Sequence, residues 1–359
     1  MIFIGTDEGI YRWLEGAGWP VFHGLQDRSV VGLASPGPGV LVAVDRSGGV
    51  WETTDNGLSW CAVPLPEGAG PASVAAVAGL PPTVVVAVEP LGLYQRAVGA
   101  PIPRSAEPPP AHAGFVPRVA HRARGLAEGA TALLAPRRRR VAPNAEAVRL
   151  AGWTRLKAPT APRSTTGPVV RALVEAQGVW FAAVGGAGLW TSGDGGSAWS
   201  QCQGLPSEVY AVRPVAGRPG HLWAATDDGC WFSTDSGATW ADRSAGLENV
   251  RHVRAVDVKP GAPDTLLAGA APRGQTGAES NFALYESADG GGKWTQVKKV
   301  FPDRLEADAI TDIRYDPAAP DNAVVALRSG ELWATRNDGA YWGPLARQIK
   351  AARVLCATP

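Results

Sequence analysis

Soft metal ligands are scarce in this chain: one methionine, five histidines and four cysteines in 359 residues. Cys61, Cys202, Cys230 and Cys356 form no CxxC pair. Buried free thiols packing as small hydrophobes are therefore expected, with no metal site and no cofactor. No apolar run approaches the roughly 20 residues that a membrane-spanning helix needs. The start, Met-Ile-Phe-Ile-Gly-Thr-Asp, has no basic leader region and no cleavage signal. The chain as given reads as cytoplasmic, although a removed leader would leave the same sequence. There is no Gly-rich phosphate loop and no nucleophile elbow. No pair of carboxylates has a spacing that marks an acid and a base, so no residue is assigned as catalytic. Net charge is only +1, which gives no overall preference for nucleic acid.

Turn formers and tryptophan are abundant, with 44 Gly, 31 Pro and 14 Trp. They are organised by a recurring phrase, Ser/Thr-x-Asp/Asn-x-Gly-x-x-Trp. Its cleanest copy runs from Ser233 to Trp240 through Asp235, and others end at Trp60, Trp199, Trp294 and Trp342. Asp55, Asp194 and Asp289 hold the acidic position in three of these. An aromatic residue sits nine positions before each Trp: Trp51, Trp190, Trp231, Tyr285 and Trp333. This spacing predicts a β-hairpin with a polar turn, its second strand opening at the Trp. Asp and Ser/Thr oxygens bind turn N–H groups, and Gly supplies positive φ. Two further apolar strands precede each hairpin, as in Val209–Val215 and Leu222–Thr226. Four short antiparallel strands repeated every 40 to 50 residues or so predict an all-β, single-domain β-propeller over residues 1–359.

The phrase resembles the Asp box, or BNR repeat, of sialidases, sortilin-type receptors, some endoglucanases and Ycf48-type photosystem II assembly factors. In size and style the chain is most similar to the Ycf48 type. The resemblance implies the fold. It also implies that the Asp-box residues are structural turn formers on the outer ring and are not catalytic acids.

Trp19 and Trp153 read as worn copies of the phrase. The gap from Trp60 to Trp153 spans two ordinary periods, and within it Thr83–Val88 and Gly92–Tyr94 read as strands. The C-terminal stretch Ala352–Cys356 matches a first strand, whereas Ile2–Gly5 matches a second. One blade is therefore expected to be completed by both termini, closing the ring. This counting favours eight blades. Seven follow if residues 95–150 are mostly insertion.

Residues 101–163 carry twelve Lys/Arg against three acids, an excess of nine that leaves the remainder at −8. Arg118, Arg122 and Arg137, Arg138, Arg139 and Arg140 dominate this stretch, and residues 101–147 read as a Pro/Arg-rich insertion or a degenerate blade. Such a segment offers a basic patch to an acidic protein, a nucleic acid or an anionic lipid, or else forms a solvated face. Sparse aromatics, only Phe115 and Trp153, argue against nucleic acid.

In a propeller the first strand of each blade lines the central channel. Aligning those strands on their terminal Pro or Gly puts Arg171, Tyr210, Arg254, Thr311 and Arg353 at equivalent positions near one rim. Three Arg and a Tyr there make a candidate anion site, unless each Arg pairs with a local acid such as Glu175, Asp257 or Asp312. Sialidase-like enzymes need an arginine triad, a Tyr with a Glu partner and an Asp acid/base. Their early Arg-Ile-Pro motif is missing here, and Pro101-Ile102-Pro103-Arg104 is only a scrambled echo. The leading expectation is a non-catalytic scaffold or assembly factor for a protein partner with an acidic surface. The alternative is a carbohydrate-active propeller, a lectin or sialidase-like hydrolase, with an anionic ligand or glycan at the channel mouth.

Overall fold

The computed structural model describes residues 1–14, 19–65, 70–77, 83–89, 92–100, 152–160, 170–274, 281–298, 308–346, 349 and 352–358. All regular structure among them is strand, in seven four-stranded antiparallel sheets. In blade 1, β1 (Ile2–Thr6), β2 (Gly9–Trp13) and β3 (Val21–Gly24) are completed by β28 (Ala352–Ala357). Blades 2 to 7 follow over residues 30–63, 70–156, 170–201, 209–242, 252–296 and 310–346. Their inner strands are β4 (Val30–Gly37), β8 (Gly70–Val77), β12 (Val170–Ala176), β16 (Val209–Pro214), β20 (His252–Val258) and β24 (Ile310–Asp316). Each inner strand packs beside the next, and β24 packs beside β28, so the circle closes.

Seven blades form the ring, the alternative count and not the favoured eight. The miscount came from Trp153. It opens β11 (Thr154–Leu156), which pairs with β10 (Gly92–Ala97) and so finishes the third blade and founds no blade of its own. A long connection between those two strands replaces the repeated phrase, and residues 101–147 lie outside the described residues. Trp19 is 68% exposed, whereas the buried indole of blade 1 is Trp13.

One apolar cluster fills each of the seven blade–blade interfaces. Second strands lie between two neighbouring blades, so Ile2–Thr6 and Leu222–Thr226 are buried on both faces. That explains their nearly continuous apolar runs. The phrase builds the same turn each time. Ser233 Oγ donates to Asp235 Oδ1 at 2.8 Å and accepts from Gly237 N at 2.9 Å, while Thr239 N donates to Asp235 Oδ1 at 2.9 Å. Thr53, Ser192, Ser287 and Thr335 repeat this pattern. Gly237 sits at φ 81°, the left-handed region. Hydrogen bonds from Ser59 and Thr53 hold Asp55 down at about 2, and those from Thr239 and Ser233 do the same for Asp235. Indole N–H groups tie several blades to the one before: Trp153 donates to Pro64 O, Trp199 to Lys157 O and Trp294 to Arg243 O, at 2.9, 2.9 and 2.7 Å.

Cys202, Cys230 and Cys356 are buried and free, but Cys61 is exposed. Burial pushes the Cys202 and Cys356 thiols up to about 11.

Candidate functional site

Every inner strand carries one β-bulge near its start, at the same register. The extra residues are Val31, Ala72, Arg171, Tyr210, Arg254, Thr311 and Arg353. A bulge breaks the strict alternation of a strand and re-aims one side chain. Here it does so once per blade around the axis. Six of the seven line a channel cavity of about 540 Å³; of Ala72 only the backbone position is described. The five residues aligned from sequence are thus brought to one circle, and Val31 and Ala72 were missed.

The circle is not symmetric in chemistry. Blades 4, 5 and 6 bring Arg171, Tyr210 and Arg254 side by side, with the two guanidinium carbons 4.9 and 5.2 Å from the Tyr210 ring centre. Arg171 pairs with Glu208 at 2.7 Å. Arg353 is held by Asp7, with contacts of 2.6 and 3.1 Å. Arg254 is half-buried and has no acid partner among the described residues. Burial pulls its pKa down, the cost of holding an uncompensated cation, and the charge of Arg328 adds to the effect. Beneath this group His252 packs against Tyr210 and Phe282, with ring centres 5.2 and 5.6 Å apart. Burial, then Arg254 and Arg171, hold His252 down at about 4, so it is neutral at physiological pH.

The acids at the mouth come from turns. In blade 1 the turn Thr6-Asp7-Glu8-Gly9 has Thr6 Oγ1 donating to Gly9 O at 2.9 Å. Blade 5 repeats it in Thr226-Asp227-Asp228-Gly229, again at 2.9 Å. Asp7 therefore meets the bulge residue of its own blade, Arg353. The bulge residue of blade 5 is Tyr210, which cannot neutralise Asp227. Asp227 Oδ1 is consequently buried without a hydrogen bond. Burial, then the neighbouring Glu208 charge, push its carboxyl up. Tyr210 is also pushed up, first by burial.

Further along the channel two arginines and two aspartates close a separate network. Arg213 meets Asp312 at 3.0 Å and Asp257 at 3.5 Å, and Arg314 meets the same two acids at 3.5 and 4.0 Å. The acids expected to neutralise the mouth arginines are engaged here instead: Asp257 and Asp312 hold Arg213 and Arg314, while Glu175 accepts from Gly178 N. Glu208, Asp7 and Asp227 were not found from sequence. The usable signal was the repeated Thr-Asp-x-Gly turn. Asp55, Asp194, Asp235 and Asp289 sit in turns between third and fourth strands, away from the channel lining. Arg118, Arg122 and Arg137 to Arg140 lie outside the described residues. No group of His, Cys, Asp and Glu among the described residues is placed to hold a metal ion, and no helix among them is long and apolar enough to cross a membrane.

Fold and site together define a seven-bladed β-propeller with a charged channel mouth. Among solved structures, the chain is similar to YCF48 bound to a D1 peptide, with 17% identity and TM-score 0.57 over 93% of this chain and 88% of that one. It is also similar to the GH74 xyloglucanase from Xanthomonas campestris, with 15% identity, TM-score 0.57 and coverage of 94% and 47%. A GH74 enzyme from Niastella koreensis gives 15% identity, TM-score 0.60 and coverage of 95% and 51%. The chain thus spans about half the length of these GH74 enzymes. At such identities the likeness is one of fold. No family model and no curated protein matches the sequence.

Proposed function

We propose that this chain is a non-catalytic Asp-box propeller, a scaffold or assembly factor that docks an acidic segment of a protein partner across the channel mouth. The recurring turn phrase supports the Asp-box assignment. One observation carries the function: the Arg254 cation, half-buried against Tyr210, has no acid partner among the described residues. A buried charge without compensation favours the arrival of an opposite charge from outside. The complex of YCF48 with a D1 peptide supports a protein partner for a propeller of this build. The basic residues Arg118, Arg122 and Arg137 to Arg140 would supply a second contact to the same acidic partner.

Affinity purification from the native organism tests this. The expected result is one acidic partner retained by the wild type and weakened at least tenfold by Arg254→Glu or by reversing Arg137 to Arg140. A partner bound equally well by both variants sinks the reading.

A second reading has its own observation. Glu208 and the protonation-prone Asp227 both act on Tyr210, which stands between Arg171 and Arg254. That constellation suits a carbohydrate-active site. Against it, Tyr210 is pushed away from the phenolate form, Arg353 is tied to Asp7, and Asp227 Oδ1 faces inward. Turnover of xyloglucan or of a fluorogenic sialoside, lost in Asp227→Asn, would displace the scaffold reading.

A further inference from the structure

We infer that Arg254 is the seat for a single carboxylate, and that the bulge circle admits one such group and rejects a dianion. The inference deepens the docking reading, on which it rests, by naming the group recognised.

Charge balance at the mouth comes first. Of the three bulge arginines, Arg171 is neutralised by Glu208 and Arg353 by Asp7. Asp227 does not compensate Arg254: no carboxylate among the described residues acts on it, and the cations Arg328 and Arg171 work against it. His252 stays neutral and adds nothing. Among the bulge residues the seat therefore presents one uncompensated positive charge, and Glu208, whose charge acts on the adjoining Tyr210, stands beside it to repel a second negative charge. A three-arginine clamp is not what the geometry offers, since two of the three are already occupied.

Shape comes second. A guanidinium presents its N–H donors in its own plane, along its edge. That edge matches the two oxygens of a planar carboxylate. Arg254 lies 5.2 Å over Tyr210 and lines the 540 Å³ cavity. The bulge between Val253 and Ala255 turns this residue out of the strand alternation. The backbone fixes the seat, with the His252 and Tyr210 rings packed together beside it.

The test uses the full chain with Arg side chains labelled for detection of their Nε–H resonances. It is titrated with Ac-Gly-Glu-Gly-NH2, Ac-Gly-Gln-Gly-NH2, acetate and inorganic phosphate. The expected result is a saturable shift of the Arg254 resonance with the Glu peptide, and binding at least about tenfold weaker for the Gln peptide, the worth of one charge-assisted pair. Arg254→Gln should abolish the preference, and Arg254→Lys should weaken it by losing the fork. Arg353→Gln should leave it intact. Unchanged melting temperatures show that the variants are folded. Saturation by acetate as well points to a free organic acid, whereas saturation by the peptide alone points to a protein side chain; both support the seat. Equal binding of the Glu and Gln peptides, tighter binding of phosphate than of acetate, or an intact preference in Arg254→Gln overturns it. The two readings fail separately. A partner captured equally by wild type and Arg254→Gln, with no Glu preference, removes the seat and leaves docking. Carboxylate binding with no partner captured removes docking and leaves the seat.

Discussion

Asp227 shows how one residue change in a repeat leaves a charge stranded. It occupies the same turn position as Asp7, but Tyr210 stands where blade 1 has Arg353. Its Oδ1 is sealed from water with no donor, and burial pushes the carboxyl up. A carboxyl that is raised in the folded state binds protons more tightly there than in the unfolded chain. It costs nothing below the ordinary carboxylate range near 4, begins to cost stability as pH rises through that range, and costs most above the folded value. Asp227→Asn should therefore raise the melting temperature at pH 7 and leave it unchanged near pH 3. Thermal melts of the two proteins at both pH values check this. Equal shifts at the two values, or a lower melting temperature at pH 7, would show that Asp227 is compensated by something else.

At the scale of the hairpin, the repeated phrase works through its first residue more than through its acid. Ser233 is 2% exposed and accepts from Gly237 N, whereas Asp235 lies at the surface. Ser233→Ala leaves that buried N–H without a partner and should cost about 1–3 kcal/mol, measured by urea denaturation. A cost below 0.5 kcal/mol or so would mean that the turn relaxes to find another acceptor. This hairpin was legible in the sequence because every partner lies within a few residues of the next. The circle of inner-strand residues was partly legible: alignment on terminal Pro or Gly put Arg171, Tyr210, Arg254, Thr311 and Arg353 at equivalent positions, although not the bulges that carry them. What those residues touch was not legible. Arg353 and Asp7 are 346 residues apart, and Glu208 reaches Arg171 from the turn leading into the next blade. The favoured count of eight failed for a related reason, and the alternative of seven is the one observed. Trp spacing measures turns, and the pairing of β10 with β11 across a long connection leaves no mark on it.

For the whole ring, stability turns on how β28 is held, because it joins the two ends of the chain. The buried network of blades 5, 6 and 7 reaches it directly. Asp312 accepts from Leu355 N at 3.3 Å, and Arg314 donates to Leu355 O at the same distance. Asp312 also holds Arg213, 99 residues away, and Ile313 N. Burial works against the Arg314 cation, but Asp312 and Asp257 outweigh it and hold its pKa up. For Arg213 burial dominates and lowers it. Such a network gives little net stability when complete, yet removing one member strands the others. Asp312→Ala should therefore cost about 3–5 kcal/mol, through two buried guanidiniums left with one acid and a closing strand that loses an acceptor. The mouth pair makes the control. Arg353 and Asp7 have side chains 32% and 30% exposed, so Arg353→Gln should cost about 1 kcal/mol or less. Urea denaturation of both variants, followed by tryptophan fluorescence, separates the two effects. If Asp312→Ala costs no more than Arg353→Gln, the ring is held at β28 by its apolar contacts and strand pairing, and the charges only occupy the channel.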